Sequence, residues 1–183
     1  MTIVSAIIGR EGIIMASDSR TTFEDGKIRD DTKKVFPVRL GDGFGFLLGH
    51  SGNDDLAAST AEKVLQLAQQ TKIKDYKTCA ELVESAFRQL KNEIRAQFNG
   101  TAEELQRHLQ NHNFDIIIAH YYRDEPTDGK LRAPQPCIFT GTFSLGILRP
   151  HRDKNFVSIG CGSTIADLIL DGFDVIPIPI NNR

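Results

Sequence analysis

Thr2 stands directly behind the initiator methionine, and a threonine in that place can carry chemistry that an internal threonine cannot. A hydroxyl is a weak nucleophile at neutral pH and needs a base beside it. Removal of Met1, which a small following residue favours, would free an α-amine on Thr2 itself. With an ordinary pKa of about 7.7–8.0 that amine is partly neutral in a cell and can take the hydroxyl proton, directly or through a water. Three further clusters could support such a nucleophile. Asp18-Ser19-Arg20 follows a short apolar run and offers a carboxylate. Lys33-Lys34 precedes another. A lysine at the mouth of a strand can pair with Asp18, stabilise a developing alkoxide and depress the pKa of a nearby amine. Gly49-His50-Ser51-Gly52 comes before a helical stretch, where backbone N–H groups could meet an anion as an oxyanion hole does. Taken singly, these are also a start followed by a strand residue, a polar strand end, a solvated basic pair and an ordinary glycine-rich turn.

The elements that must position these groups are punctuated clearly. Ile3 to Ile8 and Ile13 to Ala16 are apolar runs around Gly9-Arg10-Glu11-Gly12, the pattern of a hairpin with a tight turn. If Gly9 pairs with Gly12, paired residue numbers sum to 21, and Thr2 falls opposite Ser19 with Asp18 and Arg20 on either side. A one-residue slip would change which of them shares a face with Thr2. Neither run alternates, so both are expected to be covered on two faces. Val35 to Val38 and Phe44 to Leu48 form a second pair through Gly41-Asp42-Gly43. Helical spacing marks Asp54 to Gln70, with Asp54 and Asp55 placed to favour the helix dipole. Thr78 and Glu81 suggest a capping box opening a helix to Phe98, and Thr101 and Glu104 another opening a helix through Leu109. Strands are expected over Phe114 to Tyr122, within Pro136 to Leu148 and over Asn155 to Ile159, with a turn at Asp124–Gly129. Gly160-Cys161-Gly162-Ser163 is a tight turn before a helix from Thr164 to Leu170. The order of strands, helices, strands and helix suggests an α/β fold of stacked sheets with helices outside.

Together these residues resemble the proteasome β-type threonine peptidases, of the N-terminal-nucleophile hydrolase superfamily. The agreement lies in Met1-Thr2-Ile3-Val4, in Gly12 through Arg20, in Lys33-Lys34-Val35-Phe36 and in Ser51-Gly52 before a helix. Members space nucleophile, aspartate and lysine sixteen residues apart, and Thr2, Asp18 and Lys34 keep both intervals without a gap. The similarity is clear over about the first 70 residues and looser to Gly172. It implies one domain over 1–183, a four-layer α-β-β-α sandwich. It implies threonine-type endopeptidase activity through an acyl-enzyme on Thr2, with Asp18 and Lys34 as electrostatic partners, the Gly52 N–H as oxyanion donor, and no metal or cofactor. Gly160-Cys161-Gly162-Ser163 matches a Gly-Ser-Gly-Ser turn whose first serine supports the nucleophile's amine, and here Cys161 stands there with a thiol, a weaker hydrogen-bonding group. By position, Thr21, Thr32, His50 and Asp54 would line the pocket for the residue before the cleaved bond. This small polar set with one carboxylate favours basic or small polar side chains. Substrates would be peptides or unfolded polypeptides, and the chain would assemble with copies of itself into rings, with an ATPase unfoldase as a possible partner. A non-catalytic ring subunit and a small-molecule amidase of the same superfamily are the alternatives. Members continue past the last helix with elements that return an aspartate and a serine to the nucleophile. This sequence passes through Pro177 and Pro179 and stops at Arg183, so the last layer is expected to be incomplete.

Composition agrees with this and excludes other classes. The chain has 183 residues, 40% hydrophobic and 25% charged, ordinary for a globular domain. A formal net charge of -2 and a pI near 6.2 give no footprint for nucleic acid or an anionic membrane. No apolar run approaches the ~20 residues that span a bilayer, and no secretory signal opens the chain. Three widely spaced cysteines, Cys79, Cys137 and Cys161, suit reduced thiols in a cytoplasmic protein. His108 and His112 share a helix face at i, i+4 but lack the glutamate of a zinc-peptidase H-E-x-x-H. Neither Ser19 nor Ser51 lies in a G-x-S-x-G elbow.

Overall fold

The structure, a computed structural model, describes residues 2–9, 12–22, 26–39, 45–71, 76–122, 135–151 and 154–172. The expected turns at Gly41–Gly43 and Asp124–Gly129, the centre of the Gly9–Gly12 turn and the segment with Pro177 and Pro179 lie outside them. The opening hairpin pairs β1 (Val4–Ile8) with β2 (Ile13–Ser17) in the expected register, Val4 opposite Ser17 and Ile8 opposite Ile13. The Gly9 amide bonds to the Gly12 carbonyl at 2.8 Å. Two short strands not foreseen in the sequence follow, β3 (Thr21–Thr22) and β4 (Ile28–Arg29), paired only with each other. Then come β5 (Val35–Arg39) and β6 (Gly45–Gly52), helices α1 (Asp54–Gln70), α2 (Tyr76–Gln97) and α3 (Ala102–Asn111), strands β7 (Phe114–Tyr122), β8 (Gln135–Thr142), β9 (Ile147–His151) and β10 (Phe156–Ile159), and helix α4 (Ser163–Gly172).

The long strands make two antiparallel sheets. One has the order β10-β1-β2, the other β5-β6-β7-β8-β9. β7 shows why this sequence is apolar without alternation. Ile116 and Ile118 face a core shared with α1 and α2, in which Phe87, Phe114 and Phe143 pack together. Ile117 and Ala119, on the opposite face, join Val4, Ala6, Val157 and Ile159 between the two sheets. A strand buried on both sides has no polar face to show. α4 packs on β10 and β1 of the smaller sheet. The expectation of two covered faces fails for β2, an edge strand whose Ile14 is 67% exposed.

Helix boundaries follow capping chemistry. Asn53 caps α1, its Oδ1 accepting the Leu56 amide at 2.9 Å. The Thr101–Glu104 capping box is present in both directions. The one expected at Thr78 and Glu81 is not. α2 is already helical at Tyr76, and both residues lie inside it. Among the described residues no helix is long and apolar enough to cross a membrane.

Candidate active site around Thr2

Thr2 is gripped from two sides. The hairpin ladder continues one step past β1, with the Asp18 amide bonded to the Ile3 carbonyl at 3.2 Å. The Asp18 carboxylate returns the contact, its Oδ1 accepting the Ile3 amide at 2.8 Å. On the other side lies the turn after β10. The Gly162 amide donates to the Thr2 carbonyl at 3.3 Å. Gly160 has φ +96° and passes so close that a Cβ there would lie 2.3 Å from the Thr2 carbonyl oxygen. Only glycine tolerates both demands. The Thr2 nitrogen donates to Cys161 Sγ at 3.1 Å. In a chain bearing Met1 this nitrogen is an amide, and it marks the place the free amine would take.

Lys34 arrives from the other sheet. It precedes β5, and the His50 amide bonded to the Lys34 carbonyl at 3.0 Å extends the β5–β6 ladder to it. Its side chain is 1% exposed. The ammonium carries three N–H donors and meets three acceptors: Asp18 Oδ2 at 3.1 Å, the Arg20 carbonyl, and Thr2 Oγ1 at 3.4 Å. Asp18 therefore has one oxygen on the Ile3 amide and the other on Lys34. Partial burial pulls its pKa upward, but the Ile3 amide and the Lys34 ammonium outweigh this and hold it below the usual carboxylate value. The neighbouring Lys33 is exposed and lies over the Phe36 ring.

Gly49 to Gly52 differ from the expected connecting turn: they complete β6, paired with Phe114–Ile117 of β7. Glycine is required there by packing. A Cβ on Gly49 would lie 2.7–2.8 Å from Met15, Val4 and Ile117 side-chain atoms of both sheets. Gly52, at the strand end, has φ +111°, and a Cβ would strike the Asn113 carbonyl at 2.8 Å.

Of the four residues expected to line a pocket, three meet. Thr21 Oγ1 donates to Asp54 Oδ2 at 2.8 Å, and His50 Nδ1 lies 3.8 Å from Asp54 Oδ1. Since Asn53 is the cap, Asp54 is free to face these two side chains. His50 is buried against Phe36, and burial lowers its pKa against the opposing pull of Asp54. Thr32 is fixed through its backbone, its amide on the Ser19 carbonyl at 3.0 Å. Among the described residues, its hydroxyl is buried without a hydrogen-bond partner.

A cavity of about 460 Å³ opens beside Thr2, with Gly52, Cys161 and the start of β7 in its wall. The sequence holds one faint sign of the last contribution, the acidic Asp115 in a run otherwise apolar from Phe114 to Ala119. It gave none of the third Lys34 acceptor, which is a backbone carbonyl. His108 and His112 lie with ring centroids 4.4 Å apart and planes tilted by 54°, and no group of three or more metal-ligating side chains occurs among the described residues.

No family model matches the sequence, and no curated protein does. Solved structures do match. The fold is that of Anbu and HslV. Anbu, an ancestral beta-subunit, from Yersinia bercovieri superposes with a TM-score of 0.66 at 16% identity, covering 94% of this chain and 66% of that one. Anbu from Hyphomicrobium sp. strain MC1 gives 0.64 at 20%, covering 93% and 65%. Eukaryotic HslV from Trypanosoma brucei gives 0.54 at 15%, covering 95% and 80%. At these identities the likeness concerns the fold alone, and the chain spans just under two thirds of the Anbu length.

Proposed function

We propose that this chain is a threonine-type peptidase of the N-terminal-nucleophile kind, built as the single four-layer α-β-β-α domain of the proteasome β type. One observation carries the reading: a buried lysine, neutralised by Asp18, spends its remaining donor on the hydroxyl of Thr2. A purely structural role for Lys34 would be met by Asp18 and the Arg20 carbonyl without the Thr2 hydroxyl. With Met1 removed, the Thr2 amine accepts the hydroxyl proton as Oγ attacks the peptide carbonyl. Lys34 stabilises the developing alkoxide and the Gly52 N–H the tetrahedral oxyanion. The C–N bond then breaks, and the leaving amine takes the proton back from the Thr2 ammonium. A water, deprotonated by the same amine, hydrolyses the ester. Cys161 positions the amine.

The contacts among Thr21, His50 and Asp54 support a polar pocket before the cleaved bond, accepting basic or small polar residues in preference to Leu or Phe. Fluorogenic peptides differing only there test it, and a Phe or Leu preference unchanged by Asp54→Ala would refute the pocket. Substrates are peptides or unfolded polypeptides in the cytoplasm, and copies of the chain assemble into rings. The central test pairs intact mass with a peptide electrophile. Adduct formation on Thr2 of chains lacking Met1, lost in Thr2→Ala, is the expected result. Turnover by a sample that keeps Met1 quantitatively would exclude the amine as base. Absence of both adduct and turnover from chains shown to lack Met1 would favour a non-catalytic ring subunit.

A further inference from the structure

The cavity beside Thr2 has a chemical bias that the acyl-transfer scheme leaves unused. Thr2, Gly52 and Cys161 line it together with Asn113, Phe114 and Asp115. Asp115 supplies the one carboxylate among its described lining residues, and neither lysine nor arginine lines it. Asp115 Oδ1 accepts the Thr142 hydroxyl at 2.8 Å, which fixes the side chain. No described cation stands within ion-pair distance of it. The wall is completed by the Phe114 end of β7, where Asn113 is itself held by the Ser144 amide on its Oδ1 at 2.9 Å. The site is therefore a preformed concavity, reached from the nucleophile, with one fixed and uncompensated negative group.

The geometry points to this cavity as the seat of the substrate segment that follows the cleaved bond, with Asp115 receiving its new amino terminus. The inference rests on Thr2 being the nucleophile. As the ester forms and the C–N bond breaks, the departing segment leaves as a primary α-amine that has taken one proton from the Thr2 ammonium. Such an amine, with a pKa of about 7.7–8.0, takes a second proton from solvent at neutral pH. A neutral amide nitrogen thus becomes an ammonium within the same cavity. A fixed carboxylate binds that product better than the uncleaved bond, and so holds the segment in place until it is released or attacks the ester in reverse. The ligand class is a short peptide with a free amino terminus.

The test uses the full chain and alanyl-glycine amide, titrated by NMR and calorimetry, with its N-acetyl form as control. The free amine is expected to bind about five- to tenfold more tightly than the acetylated peptide, the range of a partly screened ion pair. Asp115→Asn, which keeps an acceptor for Thr142, is expected to erase that difference. Equal binding of the two peptides, no saturable binding, or an advantage that survives in Asp115→Asn would overturn the inference. Should the variant misfold, the acetylated peptide on the native chain decides alone. Hydrolysis of a fluorogenic peptide is followed on the same samples. Amine binding that depends on Asp115, in chains shown to lack Met1 and giving no hydrolysis, would keep an amine site at Asp115 but remove the peptidase reading and with it the assignment to a leaving segment. Hydrolysis without amine preference would do the reverse.

Discussion

Lys34 and Asp18 depend on one another, and that dependence sets what their loss does. Lys34→Ala removes the positive charge at the Thr2 hydroxyl and should lower kcat by at least about a hundredfold, as loss of a transition-state donor does. Lys33→Ala, at an exposed position, should be mild, and equal small effects of the two in steady-state kinetics would mean Lys34 is not the partner of Thr2. Asp18→Asn strands a buried ammonium. Its stability cost should fall below the ~3–5 kcal/mol of a fully buried pair, because Asp18 keeps a third of its side chain in water. Cys161 is exposed and 3.1 Å from the Thr2 nitrogen, so alkylating it should abolish turnover while Cys161→Ser stays active and resistant. Inactivation of Cys161→Ser at the native rate would assign the effect to another thiol. Titration adds two separate windows. Burial depresses the pKa of His50, His120 and His151, so the folded chain refuses protons that the unfolded chain accepts. Their stability is whole above an unfolded pKa of about 6.5 and is lost as pH falls from there toward the folded values. The Asp18 contribution, from a carboxyl held below its ordinary value, is present above an unfolded pKa of about 3.9 and is lost only as pH drops further. Thermal melts should therefore show a first decline as pH falls through the unfolded value of about 6.5, shallower in His50→Phe, before any acid step from Asp18.

At the scale of elements, the site exists because two ladders each run one residue beyond their strands, one carrying Asp18 to Ile3 and the other Lys34 to His50. The first was legible in the sequence: a tight turn between apolar runs has few registers, and the observed pairing is the expected one. The sixteen-residue intervals were legible only through the family resemblance, for the paired strands β3 and β4 inside the second interval left no clear pattern in the sequence. The Gly49–Gly52 segment was not. Its glycines suggest a turn by local preference, yet Gly49 sits in a strand because the two sheets touch there and leave no room for a side chain. Nor was the start of α2, since T-x-x-E describes a cap only if the residues before it are not helical. The cavity draws on four distant segments, around Thr2, Gly52, Phe114 and Cys161, and could not be seen from any one of them. Gly160 offers the sharpest element-level test. Alanine there meets both a positive φ and the Thr2 carbonyl, a strain of about 1–3 kcal/mol. Gly160→Ala should lose most of its activity while circular dichroism still shows the native secondary structure. Full activity would mean that the turn after β10 does not place the nucleophile.

For the whole molecule, α4 leaves Ile165, Leu168 and Ile169 exposed, apolar side chains that a neighbouring copy could cover. Light scattering should find a multi-subunit species, and a stable, active monomer would refute assembly. The opening hairpin also has a practical corollary for anyone labelling the protein. On the proposed mechanism, a reporter fused ahead of Thr2 would block the amine that acts as base. The bend between Ile8 and Ile13 lies five strand residues from the site, roughly 17 Å at the usual rise. Extra residues placed between Gly9 and Gly12 lengthen the bend without altering which residues pair below it. An epitope or dye inserted there would follow the chain from its first turn while leaving its business end untouched.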